Sequence, residues 1–190
     1  MRSIVSKYER NRSKKRNQWI IGIILVFIMV ASTLGFALQG GGGAADDGSA
    51  QENTISYNGF EFENRNGLWV LGSFVFRNTP QQTEDIGSGL NGADSYRGLP
   101  LYIYSENQDA EAEISVNLGQ IAERTQRACP EGVVCPGDLP LKKCSDNFII
   151  LKENINKRIE QDNRCVYIEG PAEELVELAD QFLFKILGIK

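Results

Sequence analysis

Four cysteines, Cys129, Cys135, Cys144 and Cys165, have the clearest capacity for chemistry in this chain. As thiolates they could bind zinc or exchange disulfides; once oxidised they brace the fold. Their spacing, C-x5-C-x8-C-x20-C, lacks the paired C-x2-C clusters of structural zinc sites and any C-x-x-C redox motif. An even number of cysteines in an extracytoplasmic domain favours disulfides instead. The expected pairs are Cys129–Cys135 and Cys144–Cys165. The first closes the CPEGVVC loop directly after an expected helix. The second rests on topology. Cys144 precedes a strand at 148–151 and Cys165 opens one at 166–168, so parallel pairing would bring the two strand starts together. A link of this loop length contributes about 3 kcal/mol in the chain-entropy account.

No histidine occurs among the 190 residues. This excludes Ser-His-Asp and Cys-His nucleophile systems, HExxH zinc sites and His-ligated haem or copper. No phosphate loop, G-x-S-x-G elbow or S-x-x-K motif is present. Gly87-Ser88-Gly89-Leu90-Asn91-Gly92 matches G-x-G-x-x-G, but it lies in an irregular connection and not between a strand and a helix. It therefore implies no dinucleotide cofactor. Asp109, Glu111 and Glu113 crowd the first turns of an expected helix, where the helix dipole accounts for them without a metal. Carboxylates are numerous enough for a glycosidase-like pair, yet sequence spacing nominates none. Catalytic, cofactor and metal residues are thus not assigned, and the cysteines stand as the site residues.

The segments that must hold them are set out by charge. The net charge of −5 divides unevenly. Residues 1–18 carry seven basic side chains against Glu9, a basic tail of +6. Trp19 to Leu38 is a run of 20 residues without charge, the length of a transmembrane helix. The run is longer than a signal-peptide core and points to an uncleaved signal-anchor. The positive-inside rule puts the tail in the cytoplasm and the rest outside, as a single-pass protein of the cell membrane. Residues 39–53 read as a flexible Gly-rich linker. From residue 39 onward, 13 basic residues face 24 acids, a balance of −11. An ectodomain this acidic is a poor match for nucleic acid.

The ectodomain, 54–190, is expected to be an α/β domain, bordering on α+β. It would be a two-layer α/β sandwich carrying an N-terminal antiparallel meander at 54–77. Asn58-Gly59 and Asn66-Gly67 favour tight hairpin turns. Phe60 with Phe62, Trp69 with Leu71, and Phe74 with Phe76 each share a strand face. Residues 78–99, rich in Gly, Asn and Ser, read as a disordered irregular loop. In the core at 100–190, strands are expected at 101–104, 148–151 and 166–168. Helices are expected at 109–127, briefly around Ile155 and Ile159, and from Pro171 to Gly188.

These features point to a non-enzymatic envelope interaction or assembly module. Its partners would be the lipid bilayer through 19–38 and another envelope or membrane protein. A carboxylate-based extracytoplasmic hydrolase is the alternative, and a cation-binding or pilus-like subunit a further one.

Overall fold

The computed structural model describes residues 53–190. The basic tail, the anchor expected at 19–38 and residues 39–52 of the linker lie outside the described residues. Among the described residues, no helix is long and apolar enough to cross a membrane.

Local turn chemistry builds the first sheet. Strands β1 (Thr54–Tyr57), β2 (Phe60–Arg65), β3 (Leu68–Leu71) and β4 (Phe74–Phe76) form an antiparallel meander in that order. Asn58 and Gly59 adopt φ of 49° and 83°, and Asn66 and Gly67 adopt 56° and 84°, so both Asn-Gly pairs supply the two positive-φ residues a tight hairpin needs. The register places Phe60, Phe62, Trp69, Leu71, Phe74 and Phe76 on one face. The free edge of β4 is closed by a side chain: Val75 N–H donates to Asn117 Oδ1 at 2.8 Å, and Asn117 Nδ2 donates to Val75 O at 2.7 Å.

The second sheet is mixed. Strands β5 (Pro100–Ser105), β6 (Arg124–Arg127), β9 (Asn147–Glu153), β10 (Arg158–Asp162) and β11 (Cys165–Gly170) lie in the order β10-β11-β9-β5-β6. All neighbours are parallel except the β10–β11 hairpin. Helices α1 (Gln108–Leu118) and α2 (Leu175–Ile186) share one face of it. That face contributes Leu101, Ile103, Ile149, Leu151, Val166 and Ile168 to a core that also takes in α1, α2 and the meander. Phe184 of α2 joins the meander to the helices, its ring 4.6 Å from Phe76 and 6.0 Å from Phe62. Gly170 is small because Leu178 fills its space: a Cβ there would collide with Leu178 Cδ1.

Three expectations are corrected. The helix expected at 109–127 ends at Leu118. Ile121 and Ala122 turn back onto the Leu118 carbonyl, and Arg124–Arg127 forms the edge strand β6. The helical turns expected around Ile155 and Ile159 are absent: Ile159 points into the core from β10, whereas Ile155 is 91% exposed. Asn163, at φ 54°, makes the two-residue turn into β11 without a glycine. The connection 78–99 is packed, not disordered. Lys190 Nζ donates to Thr83 O at 2.6 Å, and Thr83 Oγ1 donates to Gln181 Oε1 at 2.7 Å. Residues Ala93–Tyr96 form a short 3-10 helix that buries Tyr96.

Candidate functional site

Cys165, with Cys144 packed beside it, belongs to the face of the five-stranded sheet that carries no helix. Tyr102, Ala128, Phe148, Ile150 and Cys165 form a small buried cluster there. The segment between β6 and β9 crosses it, with β7 (Cys129–Pro130) and β8 (Leu141–Lys142) paired in parallel. Cys129 is bonded to Cys135 and Cys144 to Cys165, with Cα–Cα distances of 5.9 and 4.8 Å. Parallel pairing of β11 on β9 sets Cys165 opposite Phe148, next to the strand start that Cys144 precedes. Within the smaller loop, Val133 N–H donates to Pro130 O at 3.1 Å, and Gly132 takes φ 84°. The Lys142 ammonium lies 3.9 Å above the Tyr102 ring. Lys142, then Arg124, favours the Tyr102 phenolate and holds that hydroxyl below its ordinary range.

This braced segment walls one of two concavities at the carboxyl ends of the parallel strands, where open α/β sheets characteristically receive partners. The first, of about 410 Å³, is lined by Tyr104, Ser105, Glu106, Arg127, Pro136 and Leu139 among others. The second, of about 470 Å³, is lined by Glu153, Asn154, Ile155, Pro171 and Ala172. Glu106 joins them, accepting from Tyr104 Oη at 3.3 Å and from Glu153 N–H at 3.0 Å. Asn107 caps α1 through Ala110 N–H and donates to Ala172 O, both at 3.0 Å. Arg127 is paired with Glu111 at 3.1 Å. Large apolar side chains stand out along this edge and the braced segment: Val134 is 97% exposed, Leu141 68% and Ile155 91%.

Paired carboxyls do occur, but elsewhere. Glu113 of α1 and Asp180 of α2 meet under Arg77. Asp180 Oδ2 accepts from the Asn78 N–H and Nδ2 at 2.8 and 2.9 Å, while Oδ1 has no donor among the described residues. The Glu113 carboxyl is in hydrogen-bond contact with Asp180, and two carboxyls can share that bond only when one keeps a proton. Burial first, then the Glu113 charge, pushes Asp180 up to about 9. Burial also raises Glu113, against the opposing pull of Asp180 and Arg77. Asp180 is fully buried, so the pair touches no substrate in the folded protein.

Dipole complementation fits Asp109, which is exposed and paired with Arg77 at 3.0 Å, but Glu113 lies buried between the helices. The sequence held one signal for this: Asp180 stands inside the apolar run Leu178–Phe184, where α2 has little solvent-facing surface. Among the described residues, no group of three or more acidic or cysteine side chains is arranged to hold a metal ion. No family model, curated protein or solved structure matches this chain.

Proposed function

We propose that the chain is a single-pass membrane protein that displays a non-enzymatic interaction domain outside the cell membrane. The docking surface is the carboxyl edge of the five-stranded sheet together with the cysteine-braced segment. One observation carries this reading: Ile155 exposes apolar surface in one concavity, and Val134 and Leu141 expose it on the braced segment whose Pro136 and Leu139 line the other. Exposed apolar residues grouped at a concave edge are a mark of an interaction site. The disulfide at Cys129–Cys135 lowers the ordering cost of presenting Val134 to a partner. The partner is another envelope protein, and the uncharged run at 19–38 supplies the anchor.

A photo-crosslinking side chain at position 134 or 155 tests it in the native membrane. A discrete adduct is expected at both positions and not at Leu68, a control position on the outer face of the meander. No adduct at either, or equal labelling at the control, would remove the carboxyl edge from consideration. The hydrolase reading has less support: the Glu113–Asp180 carboxyls are buried away from substrate, and the solvent-accessible pairs Glu84 with Glu174 and Glu160 with Glu169 are each neutralised by a shared cation, Lys157 or Arg158.

A further inference from the structure

The opposite edge of the same sheet holds a site of different character. A pocket of about 320 Å³ opens at the amino ends of the parallel strands, lined by Asn91, Ser95, Tyr96, Asn147, Gln161 and Arg164. Every one of these residues has a polar side chain, and none is a carboxylate. The domain carries far more acid than base, yet the single charge on this lining is a cation.

Two of the polar groups are deeply set and unused. Tyr96 is only 3% exposed, its ring packed edge-on against Phe182 with centroids 6.5 Å apart. Its hydroxyl has no hydrogen-bond partner among the described residues, and burial alone raises its pKa. That oxygen is not sealed in, and Tyr96 is one of the residues lining the pocket. Asn147 is 7% exposed and makes one long bond, from Nδ2 to Ser95 O at 3.4 Å. Its Oδ1 accepts from no group among the described residues. Neither oxygen is sealed from solvent, so a ligand hydroxyl can take the place of water on each of them.

The walls are fixed. Gln161 is fully engaged, accepting from Asn91 N–H at 2.8 Å and donating to Asn163 O at 2.9 Å. Arg164 is held at its backbone: its N–H donates to Cys144 O at 3.2 Å, and its carbonyl accepts from Phe148 N–H at 3.0 Å. Arg164 is an exposed residue of the lining and makes no ion pair among the described residues, which leaves its planar fork free for a carboxylate.

We propose that this pocket binds a small hydroxylated acid of monosaccharide size, such as a uronic acid, with Arg164 on its carboxylate and Tyr96 and Asn147 on its hydroxyls. The neutral groups both donate and accept, which suits hydroxyls. One guanidinium, the single charge on the lining, matches a monoanion better than a phosphate dianion. The volume is at the lower end for ligand pockets and excludes nucleotides and longer saccharides. The proposal is independent of the docking surface at the carboxyl edge.

Calorimetric titration of the full chain in detergent micelles, with glucuronate, glucose, acetate and inorganic phosphate as probes, tests it. Saturable binding of glucuronate is expected, with glucose and acetate each weaker by about tenfold or more, since each lacks one half of the recognition. Arg164→Gln should weaken glucuronate by about tenfold or more, and Tyr96→Phe by several-fold with an unchanged unfolding midpoint. Absence of saturable glucuronate binding, phosphate binding as tightly as glucuronate, or an Arg164→Gln titration identical to the parent would each overturn it.

Discussion

The two faces of the five-stranded sheet are ordered by different means. The helix-bearing face buries a large apolar cluster that unites α1, α2 and the meander. The other face has a cluster of five buried residues, and its cover is an irregular segment with two residues in each of its strands. So small a cluster cannot offset the backbone entropy of a segment about 19 residues long, at roughly 1–2 kcal/mol per residue. Cys144–Cys165 ties that cover to the sheet, and Cys129–Cys135 closes a loop within the cover. Covalent links take the place of apolar burial where burial is scarce.

The contrast is open to direct measurement. Phe184→Ala removes a fully buried ring that touches both Phe62 and Phe76. It should cost about 3–5 kcal/mol in urea unfolding, the largest effect expected here, and should loosen the meander with the helices. Replacing Cys144 and Cys165 together by alanine should cost about 3 kcal/mol. The loss should appear first as proteolytic nicking within 130–143, with amide protection in α2 retained until global unfolding. If the cysteine pair proved the costlier change, or if nicking began in the meander, the two faces would not be held in the way described.

The same contrast explains what could be read from the amino acids. The meander was legible because each Asn-Gly pair fixes its turn locally. Helix α2 was legible because Leu175, Leu178, Ala179, Phe182, Leu183 and Ile186 repeat at helical spacing. The cysteine partners followed from the parallel arrangement of β9 and β11. Strand β6 was hidden because Arg-Thr-Gln-Arg is exposed on every residue and shows no apolar alternation. Strand β10 was hidden because Ile155 and Ile159 are four apart, as on a helix, and its turn lacks glycine. The connection 78–99 escaped because polar contacts to Asp180, Gln181 and Lys190 order it, and composition does not reveal partners about a hundred positions away. The pocket was invisible for the same reason, and of the carboxyl pair only Asp180, set within an apolar helix, left a signal.

The Glu113–Asp180 pair gives the helix-bearing face a carboxyl-driven pH dependence of its own. In the unfolded chain Asp180 ionises near 3.8, whereas in the fold it keeps its proton up to about 9. Between those values the folded state holds more protons than the unfolded one, so stability falls as pH rises, by at most about 1.4 kcal/mol per unit. The slope vanishes below the lower value and above the upper one. Asp85 titrates the other way: its hydrogen bond to Lys185 and the Lys185 charge lower it, so its contribution fades only in stronger acid. The two effects therefore occupy separate windows. Asp180→Asn keeps an acceptor for Asn78, offers Glu113 an amide donor and removes the proton. Unfolding measured from about pH 5 to about pH 8 should show a steady loss in the parent and a much flatter profile in the variant. Superimposable profiles would mean that the pair holds no proton, and that Asp180 Oδ1 is satisfied in another way.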